Sequence, residues 1–160
     1  FKIYSTFVIP IGIYEFYRNT LSLVSAGSRN LAGDISYVWG GFYNGKRNDI
    51  NVGVNYKVAV PLFIGARYKQ NDVFLPDGNF TARIYSVNAN ILFSPDITLY
   101  NYLQYDNNSA KIGIQSRFQW IFKPGNMIII AWTSNLSKPL ERYVMDESAL
   151  RFKIKYNIRF

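Results

Sequence analysis

Residues 149–160 read ALRFKIKYNIRF, and the apolar and polar side chains there alternate without a break. Leu150, Phe152, Ile154, Tyr156, Ile158 and Phe160 fall on one side of a period-two repeat, and Arg151, Lys153, Lys155, Asn157 and Arg159 on the other. A helix would mix the two sets, whereas a strand sends them to opposite faces. The same pattern holds over residues 49–57, where Ile50, Val52, Val54 and Tyr56 oppose Asp49, Asn51, Gly53, Asn55 and Lys57. It returns over residues 109–122, where Ile112, Ile114, Phe118 and Trp120 oppose Lys111, Gly113, Gln115, Arg117 and Gln119. A chain patterned in this way must fold into sheets that are apolar on one side and wet on the other.

Turn signals separate the alternating runs. Asn44-Gly45 is a hairpin tip, and Ser94-Pro95-Asp96, Asp106-Asn107-Asn108 and Lys123-Pro124-Gly125-Asn126 are further breaks. Longer connections are expected over residues 72–78 and 134–147. Cutting at these points predicts about ten strands, near residues 2–9, 13–26, 31–43, 48–57, 62–71, 80–93, 97–105, 110–122, 127–134 and 148–160. With an even number of strands, both ends are expected on the same, periplasmic side. The chain reads as one domain over residues 1–160, and its start at Phe1 without a signal peptide is read as processed or truncated, with an N-terminal part missing.

Alternation alone also fits a soluble sandwich or a lipocalin-like barrel with an aromatic core. Four features favour a transmembrane β-barrel. The expected strands run mostly about nine to fourteen residues, where a tilted membrane strand needs about nine to eleven and a globular one has about five or six. The face opposite the apolar one carries glycine, amide and basic groups, as a water-filled lumen would. Aromatic residues make up 18% of the chain and recur near expected strand ends, at Tyr43, Tyr56, Tyr68, Phe93, Tyr105, Trp120, Phe122 and Trp132, as interfacial girdles would. Finally, the connections are expected to alternate short and long, like periplasmic turns and extracellular loops. The fold expectation is therefore an all-β antiparallel transmembrane barrel, with about ten strands in this chain.

Phe160, preceded by Ile158, Tyr156, Ile154 and Phe152 at every second position, resembles the C-terminal targeting signature of bacterial outer-membrane proteins. The resemblance implies that the barrel-assembly machinery reads this strand. A second series is broader: Gly12-Ile-Tyr14-Glu-Phe16-Tyr-Arg18, Trp39-Gly-Gly-Phe-Tyr-Asn-Gly45, Asn71-Asp-Val-Phe-Leu-Pro-Asp-Gly78, Phe93-Ser-Pro-Asp96, Gln104-Tyr105 and Trp120-Ile-Phe-Lys-Pro-Gly125. In this order they resemble the C-terminal region of a Bacteroidota outer-membrane protein family of unknown function. Members of that family carry an N-terminal domain similar to family 9 carbohydrate-binding modules. The resemblance runs from about Gly12 to the end, rests on turn and girdle residues, and defines no active site. It implies a barrel larger than ten strands, of which this chain is the final segment.

The chain has no histidine and no cysteine. Ser-His-Asp and Cys-His catalysis, imidazole ligation of zinc and thiolate metal sites are thereby excluded. Asp72 and Asp77, Asp106, and Asp146-Glu147 are expected in three extracellular loops, without the ligand density of a calcium loop. Asn44-Gly45-Lys46 lacks the glycine spacing of a phosphate-binding loop. No cofactor and no metal are expected.

Eighteen Lys and Arg stand against ten Asp and Glu, a net charge of +8. By strand parity Arg67, Lys69, Lys111, Arg117, Arg151, Lys153, Lys155 and Arg159 face away from lipid. They would line a positive lumen, or pair with Asp34, Asp49 and loops of absent segments. Arg83 falls on the apolar face near an extracellular strand end, where lipopolysaccharide phosphate would meet it. Nucleic-acid binding does not fit, because the basic groups alternate with a lipid-type face and gather in no recognition element. The expected function is a non-enzymatic outer-membrane barrel, a pore or the anchor of a glycan-associated surface system. Its partners would be outer-membrane lipid, lipopolysaccharide, the assembly machinery and other outer-membrane proteins. A closed structural subunit is the alternative, and a histidine-free surface enzyme a third class.

Overall fold

The computed structural model describes residue 9, residues 11–138 and residues 142–157. These form nine strands: β1 Arg18–Val24, β2 Leu31–Phe42, β3 Gly45–Ala59, β4 Leu62–Leu75, β5 Gly78–Leu92, β6 Ile97–Asp106, β7 Lys111–Lys123, β8 Asn126–Ser137 and β9 Val144–Lys155. Each pairs antiparallel with the next in chain order, giving one meander with β1 and β9 at its edges. No described residue is helical.

The register carries the alternation across the sheet. Val54 lies between Gly33 and Ala66, and the same row continues through Val87, Leu103, Ile114, Ser134 and Ser148. Directly opposed residues point to the same side. One face is therefore apolar from Leu21 and Leu23 on β1 to Leu150, Phe152 and Ile154 on β9. The other carries most of the glycines, amides and charges. Register shifts fall only near strand ends, between Lys57 and Ala59, between Ile121 and Lys123, and between Asn135 and Leu136. Bulges placed there bend strand ends without flipping the pattern of the middle.

Several expected boundaries change. Of the expected first strand, residues 2–8 lie outside the described residues, and Ile9 is buried outside any strand. The expected strand over 13–26 shortens to β1, because residues 13–17 leave the ladder. Within that segment Tyr14 and Phe16 pack on Tyr43 with ring centroids 5.6 and 6.1 Å apart. The expected loop over 72–78 is instead β4 running to Leu75, then Pro76-Asp77, then β5. Val73 and Leu75 continue the strand so as to bury with Ile9 against Phe42, Tyr43 and Phe80. The expected connection over 134–147 shrinks likewise, since β8 reaches Ser137 and β9 starts at Val144. At the other end β9 stops at Lys155, short of the expected 160.

One rim carries the connections at 43–44, 76–77, 107–110 and 138–143, and the other those at 25–30, 60–61, 93–96 and 124–125. Both rims mix two-, four- and six-residue connections, so the expected alternation of short and long is absent. The start of β1 and the end of β9 lie at opposite rims, and the expected first strand and the two chain ends lie outside the described residues.

Gly40 is where the chain needs glycine most. Its φ is +146°, and a Cβ there would overlap the Tyr17 carbonyl oxygen, the group that accepts from the Gly41 amide at 2.9 Å. Gly40→Ala is expected to lower stability by about 1–3 kcal/mol, through backbone strain and loss of that junction. Gly27→Ala, with open space around it, should change stability by less than about 0.5 kcal/mol. Urea unfolding of both variants in the same detergent checks the order.

Candidate functional site

The polar face is the side of the sheet with chemistry on it. Arg67, Lys69, Lys111, Arg117, Arg151, Lys153 and Lys155 all share this face by register, and Arg159 lies outside the described residues. Parity reasoning missed Arg18 and Arg47, which join the same face through the row Arg18, Gly40, Arg47. Arg18 lies inside the expected strand 13–26, and Arg47 one position before the expected strand 48–57, so extending the period by one position would have found Arg47.

The arginines on β1–β4 are paired with carboxylates. Arg67 donates to both carboxylate oxygens of Asp34 at 2.8 Å, and to Asn51 Oδ1 at 3.0 Å. Asp49 accepts from Arg18 and, at 2.6 Å, from Arg47. The Asp34–Arg67 pair spans two strand gaps, since Asp34 on β2, Gly53 on β3 and Arg67 on β4 lie in one row. A Cβ on Gly53 would overlap both partners, so the missing side chain is the passage for the ion pair. Gly65 does the same on β4, where Asn55 and Asn88 close above it.

On β7–β9 the basic groups have no acidic partner among the described residues. Arg117 donates to Gln119 Oε1 at 2.8 Å and Arg151 to Thr133 Oγ1 at 3.3 Å. Lys153 and Lys155 make no hydrogen bond or ion pair with a described residue. Glu147 lies on the same face, but four positions along β9 from Arg151, or about 13 Å at roughly 3.3 Å per residue.

Between these halves, β5–β7 hold amides and tyrosines. Asn90, Tyr100 and Arg117 form one row, and Asn88, Tyr102 and Gln115 the next. They line a cavity of about 380 Å³ that opens on the polar face. The rings are 41% and 38% exposed, which is unusual for large side chains on the wet side of a sheet. Sequence reading passed over this site, because Tyr100 and Tyr102 break the polar alternation and count there as noise.

The acidic residues are dispersed. Asp72 belongs to β4 and not to a loop, and it lies on the apolar face near the rim that carries residues 76–77. It accepts from Gln70 and Thr81, each at 2.7 Å, and Arg83 joins them by donating to Gln70 Oε1 at 3.2 Å. Asp106 ends β6 and accepts from the Asn108 amide and the Ser109 hydroxyl, both at 2.9 Å. Asp146 and Glu147 belong to β9, which corrects their expected loop position.

Of the expected assembly signal, Phe152 and Ile154 project from β9 on the apolar face. Tyr156 follows the end of that strand, and Ile158 and Phe160 lie outside the described residues. The aromatic residues are only partly at strand ends. Tyr68 and Tyr85 sit within β4 and β5, with ring centroids 5.0 Å apart, and Trp132 sits within β8. Tyr43 occupies a turn at φ +52° and joins the rim cluster.

No protein-family model matches this sequence, and no curated protein matches it either.

A double-mutant cycle on Asp34→Asn and Arg67→Gln is expected to show coupling of about 1 kcal/mol, since the pair is bidentate but partly solvated. Gly53→Ala should remove most of that coupling by blocking the row. Coupling that persists in the Gly53→Ala background would contradict the role of Gly53 as the passage for the pair.

Proposed function

We propose that this sheet is wall from a transmembrane β-barrel of a Gram-negative outer membrane. In this reading the barrel is non-enzymatic and acts as a pore or as the anchor of a glycan-associated surface system. One observation carries the proposal: every strand presents large apolar side chains that nothing in the described chain covers. Examples run from Leu23 at 64% exposed, through Val54 at 43% and Leu103 at 44%, to Leu150 at 72%. Soluble monomers rarely expose an apolar patch beyond a few hundred Å², and this one extends across nine strands. The aromatic core of a soluble domain is also missing among the described residues, where the only buried hydrophobics are Ile9, Val73 and Leu75.

Several features agree with this environment. Eight of the nine strands run 10–15 residues, enough to cross a bilayer at a tilt. Unpaired strand edges are costly in lipid, so further strands of a larger barrel would complete β1 and β9. The network of Gln70, Asp72, Thr81 and Arg83 would lie at the level of lipopolysaccharide headgroups, and β9 would be the strand read by the assembly machinery. The likeness to the Bacteroidota family supports the link to glycans.

A second reading is a closed structural subunit that packs against another outer-membrane protein. It draws on a notch in the apolar face, where Asn101 accepts from Ser116 at 2.8 Å and donates to the Ala89 carbonyl at 3.1 Å, beside Trp132.

Arg at Val54 or Leu150 is expected to cost about 2–4 kcal/mol in lipid, and Arg at Asn55 or Lys155 almost nothing. Equal costs on the two faces, measured by unfolding from vesicles, would remove the lipid assignment.

The excess of basic over acidic groups on the polar face also predicts anion preference in an open pathway. A reversal potential under a potassium chloride gradient should favour chloride, and Lys153→Glu with Lys155→Glu should lower or reverse it. The effect should fade as the Debye length falls from about 10 Å at 0.1 M to 3 Å at 1 M salt. A cation-selective pathway overturns the assignment of the basic groups to the lumen, and zero conductance favours the closed subunit.

A further inference from the structure

We infer that the cavity on β5–β7 is a binding subsite for an acidic oligosaccharide. The inference deepens the proposed function and rests on that reading for one point, that water reaches the polar face.

The argument starts from the two rows. Tyr100 and Tyr102 stand two positions apart on β6, so their side chains rise from the same face about 6.6–6.8 Å apart at the backbone. That spacing sets two rings side by side along the strand. Each ring is flanked across the ladder by hydrogen-bonding groups, Asn90 and Arg117 beside Tyr100, Asn88 and Gln115 beside Tyr102. An amide offers both donors and an acceptor, and so matches a hydroxyl, which is donor and acceptor at once. An aromatic face matches the C–H side of a pyranose ring, and the combination suits a sugar better than a purely apolar or purely ionic ligand.

Exposure is the second point. Aromatic rings on a wet face are unfavourable unless something covers them, and burial of such rings is a large gain for any ligand that fits. The Tyr102 hydroxyl donates to Gln104 Oε1 at 2.8 Å, which fixes one ring in place. The neighbouring amide is also held. Asn88 reaches over Gly65 toward Asn55, where any side chain would collide with it.

Charge decides which sugar. Arg117 keeps donors beyond the one given to Gln119, and its row continues through Ala131 to Arg151. Ala131 sets no large side chain between their backbones, which are roughly 10 Å apart, two strand spacings. The two guanidinium groups lean in opposite directions along the strands, Arg117 to Gln119 and Arg151 to Thr133, so each offers its remaining donors at a separate point along an extended acidic ligand. With Lys153 one step further along β9, and Lys57 at the other end of the row that runs through Phe63 and Asn90, the cavity is bordered by cations on both sides. A uronic-acid oligomer meets all three features, with rings for the tyrosines, hydroxyls for the amides and a carboxylate for the arginines.

The test uses the full chain in detergent, with trigalacturonate, maltotriose and sodium sulfate as probes and calorimetry as readout. Trigalacturonate is expected to bind, with maltotriose at least about tenfold weaker, since a charge-assisted hydrogen bond contributes about that factor. Arg117→Gln should weaken trigalacturonate about tenfold, as should Tyr100→Ala, while Tyr100→Phe keeps the ring and stays within about twofold of wild type. Lys46→Gln, on the opposite face of the sheet, should leave binding unchanged. Maltotriose binding as tightly as trigalacturonate would overturn the acidic assignment. Sulfate competing fully, with the Tyr100→Ala variant unaffected, would reduce the site to a charge patch and overturn the saccharide assignment. No binding of trigalacturonate overturns both. The barrel reading is tested apart from this, by the Arg series on Val54 and Leu150. A chain that inserts and does not bind loses only the subsite, and one that binds and does not insert loses only the barrel.

Discussion

The backbone ladder decides which side chains meet in this protein, and nearly every other feature depends on it. With nine strands paired in chain order, a residue's neighbours are set by register, and each row runs across the whole sheet. The row Asp34, Gly53, Arg67, Ser86, Gln104, Gly113, Asn135 and Glu147 shows what this permits. Long polar side chains alternate with glycines, so that a charge on one strand reaches its partner on the next but one. A slip of one residue would place Asp34 opposite a side chain and move the apolar set to the wet face. The bulges are confined to strand ends, where they cannot cause that slip.

The same ladder separates solvents. In a soluble sheet protein, apolar faces pack on each other and the interior holds the largest side chains. Here the described residues hold only one small buried cluster, and it sits at a rim, where Val73 and Leu75 meet Ile9. Leu21, Val54, Leu103, Trp120 and Phe152 all lie on the apolar face and are 42% to 62% exposed. Folding such a sheet in water would leave that surface exposed at about 25 cal/mol for every Å². An apolar solvent removes the penalty, and it also makes every unpaired backbone group expensive, which favours the uninterrupted meander. On the proposed membrane reading, long strands, short turns and a two-faced pattern are consequences of one environment.

Most of this was legible in the sequence, because period two survives wherever the two faces differ in solvent. The central stretches of β2–β9, the faces of Arg67 through Lys155 and the tips at 44–45 and 124–125 followed from alternation and turn chemistry. The misses have a common cause. Where both faces of a segment are apolar, the period vanishes. Residues 13–17 looked like strand and fold instead as an aromatic plug on Tyr43, while residues 72–75 looked like loop and are strand. In the second case Pro76-Asp77-Gly78 is itself a turn signature, and it was absorbed into a longer expected loop. Side-chain identity within a face was legible only where charge marked it. The tyrosines of the candidate site carry no charge and share their parity with amides, so nothing in one dimension sets them apart.

Three dimensions set them apart through the distribution of compensation on the polar face. Ion pairs are needed where charges crowd a narrow region without a ligand, and every arginine on β1–β4 has one, with Asp34 and Asp49 held by three arginines. If the basic groups served only to keep the sheet hydrated, neutral amides would do the same work without mutual repulsion. The amides are in fact present, at Asn88, Asn90, Gln115 and Gln119, on the strands between. Leaving Arg117 and Arg151 without carboxylates therefore costs some repulsion that the arginines of β1–β4 avoid. An unneutralised group of this kind is stabilised by an anion from solution, and beside two exposed tyrosines the most favourable anion is one with an apolar ring face. The asymmetry between the two halves of one sheet, more than the total charge, links this architecture to a ligand.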